Sequence, residues 1–459
     1  MSIRTAAATS HTDTICCSLY FTGQNLFFLL IYMYLNTYFT DIGIPVLAVA
    51  GIALAVKVLD AFCDPVCAGL LERLSRRQKT MPWLRLLSLA VPLSTALLFA
   101  IPHGLSPALR IVWACGAFLL WSASFTLCSQ PMYGLQDGLT ETHRGYTVLN
   151  PLGRVCSMAA AMALLVLIPG FRAKLGGWQR TAAVLAAVGA VSMLPVCFRR
   201  RTGRPEPNAF QPVTLRMIVQ YLRGNRYLCI YYLTFLVIGT LNLSSCWGLY
   251  ISRHCLHNEA LLSVTGLLSM IPGILIGAFL PSIARRTDKF RLYYEAVVAS
   301  LVMQVIRYLA GYEHLGLYLL TATLAAIPTG LSTSILFRYT CDCMEYGRYM
   351  GQEAAPGLLF STQILFIKLQ AAAVTVFGAL VLAIIGFTEG EGAVQAPEFA
   401  DRLWSTGILI PAAGMLAGLL ILRHFDLTDH DVALMSMCNA GQISREDAQR
   451  QFTHAYRPA

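Results

Sequence analysis

Apolar runs recur along this chain from end to end, parted by short polar gaps, and most are about 20 residues long or more, the length a helix needs to cross bilayer hydrocarbon. Twelve such runs are read as membrane-spanning helices, over 15–39, 45–71, 83–101, 109–135, 148–169, 178–198, 227–251, 259–284, 291–311, 315–338, 356–387 and 404–423. The first run is longer than the core of a cleavable signal and holds Gln24, Asn25 and Asn36, so it is expected to stay as the first span. The polar stretch 199–226, with Pro205 and Pro207, divides the spans six and six. The expected organisation is an N-terminal six-helix half (1–198), a linker (199–226), a C-terminal six-helix half (227–423) and a cytoplasmic tail (424–459). The pattern therefore predicts an all-α membrane protein.

Composition agrees. Apolar residues are 56% and charged residues 13% of the 459, whereas a soluble domain carries about 25% charged residues. The formal net charge of +10 is concentrated in the gaps between runs, at Arg73, Arg76, Arg77 and Lys79, at Arg199, Arg200, Arg201 and Arg204, and at Arg285, Arg286, Lys289 and Arg291. That is a topology signal, not a nucleic-acid groove. With both termini inside, 23 Lys and Arg fall on the inner side and 5 on the outer, which predicts cytoplasmic termini in a multi-pass cell-membrane protein, expected to act as a monomer. The basic turns ERLSRRQK from Glu72 and ARRTDKFR from Ala284 occupy equivalent places in the two halves. Such repetition suits a transporter built from two pseudo-symmetric repeats with its site near the midplane between them. The fourteen cysteines lie mostly within apolar runs and read as small buried hydrophobes. Cys341 and Cys343 flank Asp342 at a spacing unlike a zinc site, so no metal and no cofactor is expected.

Charges inside apolar runs are costly, about 2.5–3.5 kcal/mol each on insertion scales, and mark function. The second run contains Lys57, Asp60 and Asp64, spaced so that all three share one helix face. Two carboxylates one turn apart in a low-dielectric site need a proton, a metal cation or Lys57 to balance them. Pro65 frees the carbonyl of Ala61, a further oxygen for a hard cation. A static Lys57–Asp60 pair is the alternative. Lys368 lies deep in the eleventh run with Gln363 five residues before it, and Arg154 lies in the fifth. Each is read either as a solute or coupling contact or as an inter-helix pair, and Arg154 also as a residue reaching to the interface. No His lies mid-run, so a His relay is not expected. Tyr32, Tyr34, Trp121, Tyr133 and Trp247 are read either as able to stack on a sugar ring or as lipid-facing and interfacial aromatics, and Asn25, Ser129 and Gln130 either as lining a wet cavity or as interhelical hydrogen-bond partners.

Four stretches carry a family resemblance: IYMYLNTYFTD (Ile31–Asp41), KVLDAFCDP (Lys57–Pro65), QPMYGLQDGLTETHRG (Gln130–Gly145) and CDCMEYGRYMGQEAAPGLLFSTQILFIKL (Cys341–Leu369). Together they resemble the glycoside–pentoside–hexuronide:cation symporter family, of the melibiose-carrier type. The resemblance implies a major facilitator fold moving a sugar with Na⁺, H⁺ or Li⁺. It implies that Asp60 and Asp64 bind the cation with Thr126 beside them. It implies solute contacts from Lys368, Gln363 and Tyr133. Charge balance and gating are expected of Lys57, and of Asp342, Glu345 and Arg348 in the stretch into the eleventh span. Tyr133 replaces a sugar-stacking tryptophan, Asn25 and Ser129 replace sugar-binding aspartates, and Cys63 replaces an asparagine. Leu152 takes the place of an arginine, with Arg154 two residues on. Cation machinery is thus expected to be kept and galactoside recognition altered.

The function expected is cation-coupled (Na⁺ or H⁺) symport of a sugar or glycoside by alternating access. Substrate contacts are assigned to Asn25, Tyr32, Ser129, Tyr133, Arg154, Gln363 and Lys368. The alternatives are a cation-coupled carrier of a non-sugar amphipathic solute and a non-transporting membrane sensor. No enzyme is expected, because no Ser–His or His–Asp arrangement lies in the spans and a tail of 424–459 is too short for a domain.

Overall fold

The computed structural model describes residues 11–60, 80–102, 104–139, 168, 170–198, 215–283, 287–352, 356–390, 393–454 and 456. Among these residues the regular structure is all helical: α1 (His11–Asp41), α2 (46–60), α3 (Thr80–Leu98), α4 (Pro107–Leu139), α5 (Trp178–Cys197), α6 (Leu215–Gly224), α7 (Arg226–Leu241), α8 (Ser244–His254), α9 (Ala260–Ile283), α10 (Lys289–Ala310), α11 (Leu315–Tyr349), α12 (Pro356–Ile384), α13 (Phe399–Leu422), α14 (Asp429–Asn439) and α15 (Arg445–Gln451). Seven described spans are long and apolar enough to cross a membrane. Helices are forced there because hydrocarbon offers the backbone no hydrogen-bond partner. Of the expected spans, the fifth lies outside the described residues apart from 168, and the second is described only to residue 60.

Three stretches differ from the pattern-based expectation. The seventh span is broken at Asn242–Leu243 into α7 and α8, and Gln370 Nε2 donates to the Gly239 carbonyl beside the break (3.0 Å). The tenth span continues as helix to Tyr349, well past 338, because Tyr339, Cys343, Tyr346 and Tyr349 form a buried stripe at helical spacing. Residues 341–349, expected within a loop, are therefore helical. The tail is not a bare polar extension but folds as α14 and α15.

The chain forms two compact units: Met1–Pro212 with Leu262–Val264 and Phe387–Gln395, and Val213–Leu261 with Thr265–Gly386 and Ala396–Ala459. Their internal packing repeats. In the first, α1 packs on α5, and α3 packs on both α4 and α5; in the second, α7 packs on α13, and α10 packs on both α11 and α13. Counted as spans of a half, the pairs are first with sixth, third with fourth and third with sixth in each.

The first-with-sixth pair closes through glycine both times. A Cβ on Gly23 would lie 2.7 Å from Met193 Cγ, and one on Gly189 would run into the Phe27 ring. A Cβ on Gly414 would lie 2.7 Å from Leu241 Cβ. Small residues let membrane helices approach closely, and that contact takes the place of a hydrophobic drive. At the end of α1, Asp41 Oδ2 accepts from Arg172 (3.3 Å) and from the Trp178 indole (2.9 Å). The Arg172 guanidinium also lies 4.7 Å over the Trp178 ring, and Tyr34, Tyr38 and Phe99 pack around that ring. Gly43, at φ +80°, then turns the chain into α2. Within the same unit, Glu389 accepts from the Val46 amide at the start of α2 (3.2 Å).

In the second unit the tail is bonded to the ends of α10 and α11. Lys289 Nζ pairs with Asp342 (2.8 Å) and Asp429 (3.0 Å). Asp288 caps α10 and also accepts from the Asp429 amide (2.7 Å). Asp431 is buried and accepts from the Thr453 amide and hydroxyl (2.9 Å each) and the Tyr456 hydroxyl (2.6 Å). Burial alone raises the Asp431 carboxyl, but these donors outweigh it and hold it below the ordinary carboxylate value.

Two outcomes are expected. Gly189→Val, which drives a branched side chain into Phe27, should cost about 1–3 kcal/mol and lower the thermal unfolding midpoint of purified protein, while Gly116→Val, in open space, should not. Because the Asp431 carboxyl is depressed in the docked tail, its contribution is full at neutral pH and is lost as pH falls through the lowered value. Amide exchange in α14 should therefore accelerate selectively in acid, and Asp431→Asn should remove that pH dependence.

Candidate functional site

Helix α1 presents two different faces. Tyr20, Gln24, Phe27, Ile31, Tyr34 and Tyr38, spaced by three or four, are all buried. This face packs inside the first unit; the Tyr20 hydroxyl donates to the Cys128 carbonyl (3.0 Å) and lies 2.7 Å from its sulfur. About a third of a turn round lie Phe21, Asn25, Phe28, Tyr32 and Asn36, which remain half-buried or exposed. That second face is part amide, part aromatic. Asn25 Nδ2 donates to the Phe21 carbonyl (2.8 Å). Phe28 stacks on Tyr32 (5.8 Å, 9° between planes) and lies 6.1 Å from Phe125 of α4. Phe125 in turn stacks on Trp121 (5.0 Å), whose indole donates to Thr95 Oγ1 (3.0 Å). Asn25 and Tyr32 thus belong to one aromatic wall shared by α1 and α4, and half-buried Thr126 follows Phe125 in α4. Flat ring faces beside an amide and a phenol suit a solute with an apolar face and ring hydroxyls.

Asp60 ends the described part of α2 and is 4% exposed. It continues the buried stripe Val49, Ala53 and Val56, so the helix turns a carboxylate inward where the pattern otherwise places apolar side chains. Lys57 sits at the edge of that stripe, half-buried. Asp64 and Arg154 lie outside the described residues. Ser129 and Tyr133 fall in α4, but their side chains lie outside them too.

In the second unit, Gln363 is buried on the face of α12 turned to α7. On that face Phe366 stacks on Tyr232 (4.1 Å), and Gln370 reaches Gly239. Lys368 is half-buried and lies about 140° round the helix from Gln363, so the two do not share a face. Of the gating set, Asp342 pairs with Lys289, Glu345 pairs with Arg348 (3.1 Å) and its carbonyl accepts from Asn439 of the tail (2.9 Å), and Lys57 belongs to the first unit.

Sequence reasoning did not single out Tyr20, Asp41 with Arg172, or Lys289 as a bridge. Only Tyr20 had a legible signal, its spacing with Gln24 and Phe27. The other two join residues far apart in the chain.

The two faces of α1 give a direct test. With the native cysteines replaced by serine, Asn25→Cys and Tyr32→Cys should react with a water-soluble methanethiosulfonate at least about ten times faster than Tyr20→Cys and Phe27→Cys, since only an accessible thiolate reacts. Equal rates would remove the wall.

Comparison with known proteins places the chain. The family described as MFS/sugar transport protein matches residues 20–429. The glucuronide carrier protein homolog of Escherichia coli (strain K12) is 23% identical over 419 residues, covering 89% of this chain and 90% of that protein. The putative glycoside/cation symporter YagG of the same organism is 23% identical over 443 residues, covering 92% of each. Among solved structures, the nucleoside transporter NupG superposes with a TM-score of 0.65 at 12% identity, covering 91% of this chain and 100% of that one, a likeness of fold. With the family match running over residues 20–429 of 459, this chain is an integral membrane protein of the MFS/sugar transport family.

Proposed function

We propose that this protein is a secondary active transporter that carries a sugar or glycoside together with Na⁺ or H⁺ by alternating access. The observation that carries the proposal is the burial of Asp60 within an otherwise apolar helix stripe. A carboxylate in low dielectric is costly as an anion, and a visiting cation or proton offsets that cost. Asp64, one turn on in the sequence, doubles the demand for positive charge. Lys57 serves as resting counter-ion when the site is empty.

Cation and solute are linked through one free energy: whatever the cation contributes to solute affinity, the solute contributes to cation affinity. The aromatic and amide face of α1 supplies solute contacts, with Asn25 and Tyr32 in that role. Two relatives, named as a glucuronide carrier homolog and a glycoside/cation symporter, support this cargo class. The excess of basic residues in alternate gaps supports cytoplasmic termini.

Reconstituted vesicles test the reading. Addition of a transported glycoside should produce alkalinisation outside or Na⁺ uptake. Asp60→Asn and Asp64→Asn should each cut cation-driven accumulation about 5- to 150-fold while protein still reaches the membrane. Unchanged accumulation in both variants would sink the mechanism. Accumulation of amphiphiles but of no glycoside in a competition panel would keep the coupling and replace the cargo.

A further inference from the structure

Helix α6 carries none of the residues assigned above to cation or solute. It follows the basic linker and precedes the span opened by α7. On a helical wheel its residues divide cleanly. Arg216, Gln220 and Arg223 occupy one arc of about 60°, while Met217, Ile218, Val219, Tyr221 and Leu222 fill the rest. The apolar part is divided again. Ile218 and Tyr221 are buried and belong to the core of the second unit, together with Tyr231, Tyr232 and Tyr346. Val219 is exposed, and so are Arg216 and Arg223 beside it. One side of α6 is therefore fixed to the protein, and the other offers an apolar edge next to two guanidinium groups.

The helix is also turned away from the following span. Asn225 leaves helical geometry (φ −121°, ψ 89°), caps α7 through the Leu228 amide (3.0 Å) and donates to the Cys343 carbonyl (2.7 Å). Exposed Arg226 begins α7 just beyond this break. The beginning of a span is a membrane interface, so α6 sits at headgroup level with a fixed protein side and an open basic side. Exposed arginines at that depth, beside an apolar edge that reaches the acyl boundary, match a phosphate diester on a diacyl chain.

We propose that α6 is a binding site for acidic phospholipid, with Arg216 and Arg223 holding the headgroup phosphate and Val219 resting on the acyl chain. The site lies on the leaflet that meets the Arg226 end of the span. Its test needs no knowledge of the transported solute.

The full chain and the variants R216Q/R223Q and R216K/R223K are purified in detergent and titrated with phosphatidylglycerol or phosphatidylcholine. Bound lipid is counted by native mass spectrometry, and thermal unfolding is followed in parallel. Wild type should prefer phosphatidylglycerol and be stabilised by it. The glutamine pair should bind it roughly 30-fold more weakly, since each basic group near an acidic lipid contributes about a fivefold change, and the lysine pair should keep the preference. Added salt should weaken phosphatidylglycerol binding to wild type, a reading available even if the glutamine pair fails to fold. Equal retention of the two lipids by wild type, unchanged preference in a folded glutamine pair, or binding indifferent to salt would each overturn the site. Those outcomes would leave the arginines as a solvated face or as a contact for a protein partner.

Discussion

Helices already immersed in hydrocarbon gain little from burying apolar side chains against one another, so what holds them together is close approach and a few polar bonds. Both units meet this constraint in the same place. Their first and last spans touch where glycine replaces any larger side chain, at Gly23 and Gly189 in one and at Gly414 in the other. The third span then packs on the sixth and the fourth in each unit. A shared pairing scheme of this kind explains how two halves with little visible sequence likeness keep one architecture. The repeat is conserved in which helices meet, not in which residues meet.

Polar groups follow from the same constraint. Inside the spans they fall into stripes, because a helix that must bury one side and show another to a different environment sorts its residues by angle. Helix α1 does so with buried Tyr20 and Gln24 on one side and Asn25 and Tyr32 on another. Outside the spans, strong ion pairs take over. Lys289, at the start of α10, pairs with Asp342 near the end of α11 and with Asp429 at the start of α14, whose amide donates to Asp288. Of the residues expected to gate, Asp342 and Glu345 are engaged in seating the tail on its own unit.

The spans were legible because a continuous apolar run of sufficient length has one solution in a membrane. Their edges were less so. The continuation of α11 past 338 depends on Tyr339, Cys343, Tyr346 and Tyr349 having a partner surface, which α7, α10 and the tail supply together. No local pattern announces that surface, since α14 and α15 are short and owe their order to distant partners, through Val432 and Met435 in the core and bonds among Asp431, Thr453 and Tyr456. The break at Asn242 carries no proline and was hidden inside an apolar run. At the site, the burial of Asp60 followed from its place among Val49, Ala53 and Val56, whereas Gln363 and Lys368 were grouped by nearness in sequence. A five-residue separation turns a helix through about 140°, so nearness in sequence there implies different neighbours.

Under the proposed function, the replacement at Asn25 is the point at which recognition and coupling come apart. In the resembled family an aspartate at that place gives the solute wall a charge of its own. Here the wall of α1 is neutral, built of an amide, a phenol and aromatic faces. A neutral wall makes no claim on the coupling cation, so under the proposed function the charge that attracts it resides with the carboxylates of the second span. The amide still both donates and accepts, and can satisfy a ring hydroxyl in either sense. On that reading, losing the charge weakens any preference for solutes that donate strongly to a carboxylate, and lets the same wall accept anionic solutes that an aspartate would repel.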